Sequence, residues 1–598
     1  MEQSLVEHVR RGVRLNLSAD EVADEAAMRL WGKSQTVSAT VIRDILRGRL
    51  AADPDPHGLR LRGARISGRL HLENLHTEVN FELTDCLLEE GVVAREARMA
   101  SVSLRGCLLE HPAKSPLDGA GLACGLLDLR GATIIGHDNA EDGGAVRLLG
   151  ARIDGHLDCT GASLCNDKGP ALLADGVRVG LGMFLRRGFS ATGVGKDGAV
   201  LLRGASVGIH LVCSTAYLHN DFGPALFADG LRVAQNMYLS DGFTATGAGA
   251  SGAVRLSAAR IGGSLECDGA HLCNKSGPAL YANRLQVGQV INLGKGFTAT
   301  SGKRGPNDDD LGAVHLTGAE IGGSLHCEEA HLCNESGSAL VADSLRTGRG
   351  IYLHKGFTAT SHGDGVAVNL VRAQAGGTLF FDQAGIHAAD SCRRLDVDGL
   401  TYTGVPRTNS DKQPDSGQRW LCLLRHGTLA YAAQPYQHLA AGYRALGDDR
   451  QARETLIAQR DDQLARGKTS WLERRWGKIT WYTLGYGYRP WRALWGLAVV
   501  LAVSCALAVA LGSCGALAQT DKAADPGQPC TFLQKASVGL DLNLPIGKSL
   551  ARDHCDLAEN SASAAAAGLT VAGWVLQLLA WAFAALFIAG FTSAVRKT

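Results

Sequence analysis

The stretch that decides the fold is residues 144–193, GAVRLLGARIDGHLDCTGASLCNDKGPALLADGVRVGLGMFLRRGFSATG. The same sequence pattern recurs four times, starting at Gly198, Gly252, Gly312 and Gly365, and is weakest in the last copy. The steps between copies are 54, 54, 60 and 53 residues. Self-similarity at such a period is the signature of a repeat architecture, in which each repeat packs on its neighbours. The longest step contains the polar insertion GKRGPNDDD (302–310), which we expect to form an exposed loop.

Within one unit the apolar residues come in pairs that are two positions apart. The first four pairs are Val146/Leu148, Ala151/Ile153, Leu157/Cys159 and Ala162/Leu164. A spacing of two places both side chains on one side of a short strand. Four such strands, separated by turns, predict one coil of a β-solenoid, and each unit of 54 residues then holds two coils. The repeat region spans residues 58–383 and predicts a rod of about a dozen coils, roughly 60 Å long at ~4.8 Å per coil.

Alignment of the units stacks identical residues into columns. The apolar columns are Phe189, Phe243, Phe297 and Phe357, and Cys159, Cys213, Cys267 and Cys327. The polar columns, at turns, are Asn166, Asn220, Asn274 and Asn334, and Asp175, Asp229, Asn283 and Asp343. Stacked identical residues are what a solenoid produces, so we interpret the columns as structural ladders. For the Asn and Asp columns we expect left-handed turn geometry and hydrogen bonds to the local backbone.

The alternative interpretation of these columns is a metal site or a carbohydrate-lyase groove. The column Cys165, His219, Cys273 and Cys333 has soft ligand types. Its members lie two coils apart, roughly 10 Å, which is too far to share one ion. Because every column recurs at one structural position and no coil has a unique acidic cluster, the sequence predicts no catalytic, cofactor-binding or metal residues.

Composition and motifs narrow the function classes. The chain has 598 residues, 75 glycines and a net charge of +1, so it lacks the basic excess of a nucleic-acid-binding surface. The glycine stretches GVGKDG and GAGASG recur at coil turns, and no such stretch is expected to open a helix as a dinucleotide fingerprint does. There is no CxxC or HExxH, and Gly547–Ser549 is no P-loop because residue 542 is leucine. The N-terminus MEQSLVEHVRRG has no apolar signal-peptide core.

Helical segments flank the repeats. Residues 1–50 predict a small helical cap over the open end of the solenoid, with a capping box at Ser18 and Glu21 and a second helix near Ala39–Arg47. Residues 406–418 predict a polar linker, and residues 419–490 a helical juxtamembrane segment. Within it, residues 435–463 match a tetratricopeptide-like helix–turn–helix, interpreted as a packing element or a partner-binding groove.

Two uncharged apolar runs near the C-terminus, residues 494–511 and 569–591, are long enough to span a bilayer. Seven basic residues precede the first run between Arg466 and Arg492, whereas the loop between the runs, residues 513–567, has four basic and six acidic residues. The bias of basic residues predicts a multi-pass plasma-membrane protein with both termini and the rod in the cytoplasm and this loop outside.

The extracytoplasmic loop carries Cys514, Cys530 and Cys555, which predicts one disulfide and one free thiol in an oxidising compartment. Its apolar stretch Thr531–Gly547 is too short to span. This stretch is either an interfacial helix or a re-entrant segment of the kind found in two-helix ion-channel pores, although no TVGYG-type filter is present.

The pairs of apolar residues resemble those of pentapeptide-repeat proteins, which implies a right-handed quadrilateral β-helix. LRGARISGRLHL (Leu61–Leu72) and GYGYRPWRA (Gly485–Ala493) resemble a group of actinobacterial membrane-anchored β-solenoid proteins. Some members of that group are called membrane-associated oxidoreductases. The resemblance implies the same architecture here, but no residues of this chain support redox chemistry.

The leading functional hypothesis is a membrane-tethered cytoplasmic scaffold that binds a cytoplasmic protein and no nucleic acid. The first alternative is a sensor or channel-like module, with homo-oligomers formed through small residues such as Gly573, Ala580 and Ala584. The second alternative is the oxidoreductase implied by the resemblance, for which no cofactor is predicted.

Overall fold

The computed structural model of this chain describes residues 1–18, 25–137, 143–302, 311–363, 365–389, 394–408, 416–486, 488–489, 491–514, 516–520, 528–543, 555–557 and 564–597. The chain divides into two compact units, Met1–Gly447 and Asp448–Thr598. Three predicted features lie wholly or partly outside the described residues: Glu21 of the capping box, residues 303–310 of the insertion, and residues 544–549, which include the end of the apolar stretch Thr531–Gly547.

The first unit is a parallel β-solenoid of about 13 turns, as predicted, whose coils contribute strands to four sheets, here called faces 1 to 4 in chain order. Face 1 consists of Leu15–Asn16, Leu59–Arg62, Phe81–Thr84, Val102–Arg105, Leu127–Asp128, Leu157–Asp158, Met183–Phe184, Leu211–Val212, Met237–Tyr238, Leu265–Glu266, Ile291–Asn292, Leu325–His326, Ile351–Leu353 and Leu379–Phe381. Face 2 consists of Thr36–Ser38, Arg65–Ser67, Leu87–Leu88, Leu108–His111, Thr133–Gly136, Ser163–Asn166, Ser190–Gly193, Tyr217–Asn220, Thr244–Gly247, His271–Asn274, Thr298–Ser301, His331–Asn334, Thr358–Ser361 and Ile386–Ala388.

The two remaining faces have shorter strands. Face 3 consists of Leu70–His71, Val92–Val93, Leu117–Asp118, Val146–Arg147, Leu172–Leu173, Val200–Leu201, Leu226–Phe227, Val254–Arg255, Leu280–Tyr281, Val314–His315, Leu340–Val341, Val368–Asn369 and Leu395–Asp396. Face 4 consists of His76–Thr77, Arg98–Met99, Ala123–Cys124, Arg152–Ile153, Arg178–Val179, Ser206–Val207, Arg232–Val233, Arg260–Ile261, Gln286–Val287, Glu320–Ile321, Arg346–Thr347 and Gln374–Ala375.

The apolar pairs of the sequence line the inside of the solenoid. In the coil from Val146 to Leu164, all eight paired side chains are buried, because alternate residues of a strand point to the same side. Face 1 strands begin at Leu157, Met183, Leu211, Met237 and Leu265. Coils of 26 and 28 residues therefore alternate, which accounts for a repeat of 54. The strand ladders continue beyond Gln383, to Leu395–Asp396 on face 3.

The N-terminal segment is partly helical and partly β. Its helices are α1 (Glu2–Arg10), α2 (Glu25–Arg29) and α3 (Ala39–Leu46), with a 3-10 turn at Lys33–Gln35. The Ser38 side chain accepts a hydrogen bond from the Thr40 amide at the start of α3. Two short strands of this segment pair in parallel with the first coil, Leu15 beside Leu61 and Val37 beside Ile66. The segment therefore extends faces 1 and 2 by one strand each, which the expectation of a helical cap missed.

The other end of the solenoid is followed by a 3-10 turn at Gln383–Gly385 and by helices α4 (Ser416–His426) and α5 (Gln434–Ala445). Trp420 of α4 is 1% exposed and lies edge-on to the ring of Phe381, with ring centroids 5.2 Å apart. The large buried aromatic side chain continues the apolar core past the last coils. Helix α4 begins inside the predicted linker 406–418, of which residues 409–415 lie outside the described part.

The second unit contains helices α6 (Asp449–Arg466), α7 (Trp471–Leu484), α8 (Trp491–Ser513), α9 (Phe532–Asp541) and α10 (Ala564–Lys597). The strands Leu517–Gln519 and Cys555–Leu557 form an antiparallel pair. Helices α8 and α10 pack side by side, and a Cβ at Gly496 of α8 would lie 2.4 Å from the Phe583 ring of α10. Small residues at helix contacts let backbones approach closely.

Two helical segments of the described chain are long and apolar enough to cross a membrane. They are Trp491–Ser513, with mean hydropathy 2.5, and Ala567–Ala589, with mean hydropathy 2.1. Only 17% and 11% of the most apolar 18-residue stretch of each helix is buried, whereas the core helix of a soluble protein is mostly buried. Apolar side chains exposed along most of two helices are typical of contact with lipid.

Candidate functional surface

The phenylalanine and cysteine columns lie inside the solenoid and form its core. All four phenylalanines and all four cysteines of these columns are at most 1% exposed. Burial raises the pKa of the Cys213 thiol to about 12, and it also raises the pKa of Cys159, Cys267 and Cys327. A protonated thiol is neither a good nucleophile nor a metal ligand, so these cysteines act as small apolar residues.

The asparagine column closes the turn between faces 2 and 3. The Asn274 side chain donates to the carbonyls of Pro278 (2.8 Å) and Gly249 (3.1 Å) and accepts from the Ser276 amide (3.3 Å). Asn220 makes the corresponding bonds, and all four asparagines are at most 1% exposed. The expectation of hydrogen bonds to the local backbone is met, but no Asn or Asp of the two polar columns has a positive φ. Asparagine recurs at this turn because its side chain satisfies backbone hydrogen-bonding groups, not because the turn needs a left-handed backbone.

The aspartate column forms ion pairs between coils. Asp175 accepts from Arg203 Nε at 2.7 Å, Asp229 from Arg255 Nε at 2.7 Å, and Asp343 from Arg372 Nη2 at 2.7 Å. Burial acts against ionisation of Asp343, but hydrogen bonds from Arg372 and Ser344 hold the pKa of that carboxyl below its ordinary value. These aspartates are thus used by the fold, and the column offers no free acidic cluster.

The column Cys165, His219, Cys273 and Cys333 points outward from face 2. Threonines stand between its members, since Cys165 pairs with Thr192 and Thr192 with His219. Members of the column are therefore two coils apart. Within the described ranges, no group of three or more His, Cys, Asp and Glu side chains is arranged to hold a metal ion.

Two motif-like stretches also belong to the solenoid. The stretch GVGKDG (193–198) leads into the strand Val200–Leu201 rather than a helix. Ser206, within GASVG (204–208), has the spacing of a nucleophile elbow but lies in a face 4 strand with no helix after it. The strand–turn–helix context that both motifs need is absent at these residues.

Face 4 carries the most unusual surface of the solenoid. Its outward residues are, in ladder order, Arg98, Ala123, Arg152, Arg178, Ser206, Arg232, Arg260, Gln286, Glu320 and Arg346. The six arginines, called the arginine row below, are all exposed. Residues that face each other on adjacent strands of face 4 lie ~4.8 Å apart, and like charges at this distance destabilise the sheet.

Acidic partners are scarce along the arginine row. Arg152 pairs with Asp154 at 2.9 Å and Arg346 with Glu320 at 3.8 Å, while Arg260 donates to the Gln286 side chain at 3.0 Å. Arg178 and Arg232 have no acidic partner within the part of the chain that the structure describes. This pattern contrasts with the Asp–Arg pairs at the neighbouring turn, where each arginine finds a carboxylate.

A strip of bare backbone runs beside the arginine row. A Cβ at Gly180, Gly208 or Gly262 would lie 1.9–2.1 Å from a carbonyl oxygen of the preceding coil. Gly262 and Gly288 also line a shallow groove on face 4 between Arg260 and Arg346. The exposed guanidinium groups thus lie beside a row of glycines without side chains, which an extended segment of another molecule can approach closely.

In the second unit, the structure joins Cys530 to Cys555 as a disulfide and leaves Cys514 as an exposed free thiol. Helix α9 runs alongside α8. The Ser504 hydroxyl donates to the Gly539 carbonyl at 2.7 Å, and a Cβ at Gly539 would lie 2.7 Å from Cys505 Cα. Ser504 precedes the last residue of α8 by nine positions, so the contact lies ~13 Å from that end of the helix.

Comparison with known proteins adds no assignment. No family model, no curated protein and no solved structure matches this sequence. Function therefore has to be inferred from the faces of the solenoid and from the apolar helices.

Proposed function

We propose that this protein is a membrane-tethered scaffold whose solenoid lies in the cytoplasm and binds an acidic protein partner on face 4. A β-solenoid with two apolar C-terminal helices fits a scaffold or membrane-associated module. The resemblance of residues 61–72 and 485–493 to membrane-anchored solenoid proteins supports the same assignment. The observation that carries the proposal is the exposed arginine row with few acidic partners of its own.

Carboxylates of a partner are the complement that the arginine row lacks. An arginine presents a planar fork of donors that a carboxylate accepts in pairs. Stacking Arg152 on Arg178, and Arg232 on Arg260, costs free energy that an acidic partner would recover. Complementary charge of this kind also increases the rate of association.

The membrane topology is part of the proposal. Helices α8 and α10 span the plasma membrane, both termini are cytoplasmic, and the segment 513–567 that connects the two helices is on the outer side, as the distribution of basic residues favours. The Cys530–Cys555 disulfide supports an oxidising location for this loop. The described cysteines of the solenoid are free thiols, as expected in a reducing compartment.

Native thiols report the topology directly. In intact cells, a membrane-impermeant maleimide is expected to label Cys514 but not Cys273 or Cys422, although all three are exposed. Permeabilised cells are expected to show label on all three, and Cys213 to stay unlabelled until unfolding, because burial raises its pKa to about 12. Site-resolved mass spectrometry checks the result. Labelling of Cys273 in intact cells places the solenoid outside and contradicts the proposal.

Charge reversal on face 4 tests the partner. We expect Arg178→Glu/Arg232→Glu to lower recovery of a crosslinked partner from the extracted full chain about tenfold, which corresponds to about 1.4 kcal/mol. Lys168→Glu/Lys196→Glu is the matched control, since it makes the same change in net charge at exposed lysines of turns after face 2. The proposal requires the loss in the arginine variant alone. Equal recovery from both variants, or a partner that is not acidic, rules out face 4.

A second candidate function, a channel-like module, is favoured by one contact. Helix α9 lies along α8 at Ser504, at mid-length of a candidate membrane helix, as a re-entrant segment would. If this holds, purified chain in planar bilayers conducts ions, and Gly539→Ala, which would drive a Cβ into the backbone of α8, abolishes the conductance. Gly568→Ala, with open space around it, is the control. No conductance from the unaltered chain excludes this candidate.

A further inference from the structure

Helix α7 presents a broad apolar side that is more than half exposed within the described part of the chain. Its side chains include five large apolar or aromatic residues that are 51–72% exposed, namely Trp471, Leu472, Trp476, Ile479 and Tyr482. At 3.6 residues per turn, Leu472, Trp476 and Ile479 share one side of the helix, with Trp471 and Tyr482 beside them. Exposed apolar patches of this kind mark an interaction site.

The opposite side of α7 is packed within its own unit. Gly477 is buried, and a Cβ there would lie 2.4 Å from Leu464 of α6. The Tyr486 hydroxyl, just after α7, donates to Asp461 of α6 at 2.8 Å. These contacts fix the orientation of α7 relative to α6, and they leave the apolar side of α7 facing away from α6.

The position of α7 directly before α8 indicates the occupant of its apolar side. Gly485 ends α7 in a left-handed conformation, and α8, the first apolar helix, begins six residues later at Trp491. The Arg492 guanidinium donates to the Trp481 carbonyl at 3.1 Å and lies over the Trp481 ring at 5.4 Å. The C-terminal end of α7 is therefore held at the N-terminal end of a helix proposed to span the bilayer.

Basic residues complete the pattern. Arg475 and Lys478 of α7 are exposed, and Arg475 lies over the ring of Trp471 at 5.7 Å. Lys478 lies at the border of this apolar side, and Arg475 lies between Tyr482 and Ile479. Basic side chains close to exposed tryptophan and leucine are typical of a helix that lies in the membrane interface. Anionic headgroups attract such basic residues when they lie near the membrane surface.

We infer that α7 is an interfacial helix that buries its apolar side ~5–10 Å into the lipid headgroup and acyl boundary and binds anionic lipid through Arg475 and Lys478. The inference rests on the proposed membrane-spanning role of α8. It gives the scaffold a second attachment to the bilayer, parallel to the surface, which limits the orientations of the chain that leads from α6 into the membrane.

The test places a polarity-sensitive fluorophore on Ile479→Cys in the full chain, with the exposed native cysteines changed to serine. The matched control is Arg474→Cys, on the other side of the helix. In nanodiscs containing phosphatidylglycerol, we expect blue-shifted emission from position 479 and quenching by brominated lipid at least about twofold stronger than at position 474. Arg475→Gln/Lys478→Gln is expected to reduce the dependence of this quenching on phosphatidylglycerol.

The outcomes separate this inference from the proposed function. A chain that resists carbonate extraction while position 479 reports water overturns the lipid-binding role of α7 and leaves the membrane helices intact. Extraction by carbonate overturns the membrane tether itself. A blue shift that disappears on dilution and is insensitive to brominated lipid assigns the apolar side to a second copy of the chain, and also overturns the inference.

Discussion

Replacement of Phe243 by alanine is expected to lower the free energy of unfolding of the surrounding coils by about 3–5 kcal/mol. The phenyl ring is fully buried, and the residues in line with it in the adjacent coils are Ala216 and Ala270, as the backbone bonds from Thr244 to Ala216 and from His271 to Phe243 show. These two alanines have no side-chain atom beyond Cβ that could move into the space of the ring, so a cavity is expected to persist.

Hydrogen exchange measured by mass spectrometry checks this result. Coils of a solenoid depend mainly on their neighbours, so exchange is expected to rise by about two orders of magnitude or more around Thr244–Gly247. Amides of the distant strand Val102–Arg105 are expected to change little. Phe222→Ala is the control because Phe222 is 64% exposed and one coil removed. A comparable rise in exchange in both variants contradicts the assignment of the Phe column to the core.

The second large effect is expected at Gly208 on face 4. A Cβ at this position would lie 1.9 Å from the Gly180 carbonyl oxygen, which belongs to the backbone of the preceding coil and has no rotamer by which to move away. Gly208→Ala is therefore expected to force the coils apart and to destabilise the solenoid by about 3 kcal/mol. Lower melting temperature by circular dichroism and faster proteolysis near residue 208 are the readouts.

Gly204→Ala separates a steric clash from backbone strain. Gly204 has φ +62° but open space where a Cβ would stand, so this variant is expected to cost only about 1 kcal/mol, from the left-handed conformation. Equal melting temperatures for the two variants would mean that the coils can separate at Gly208 without loss of stability. Face 4 would then lack the close backbone contact between coils beside its arginines.

Much of the fold can be predicted from the sequence because its causes are local. The pairs Val146/Leu148 and Leu157/Cys159 indicate strands by their spacing, and the 54-residue period indicates paired coils. The apolar runs at 494–511 and 569–591 similarly predict helices α8 and α10. Only the register explains why phenylalanine recurs at every second coil, because Phe189, Phe243 and Phe297 each lie between alanines of the two adjacent coils.

The candidate surfaces were less accessible to sequence reasoning. Consecutive members of the arginine row are 26 to 86 residues apart, at intervals of one, two or three coils, the longest of which includes the insertion. A search for identical residues at the repeat period finds the Asp and Asn columns, but it finds these arginines only as two separate pairs, Arg98/Arg152 and Arg178/Arg232. Strand pairing between Arg152 and Arg178, or between Arg232 and Arg260, is the signal that aligns them.

The sequence by itself determined that this chain is a repeat β-solenoid with two apolar helices near its C-terminus, because side-chain alternation along a strand and hydropathy along a helix are properties of neighbouring residues. Only the tertiary structure decided the rest: that Leu15 extends face 1, that Cys530 pairs with Cys555, that α9 lies along α8, and that the arginines form one row. Each of these depends on contacts between residues distant in the chain. Register and packing, not local pattern, decide which distant residues become neighbours.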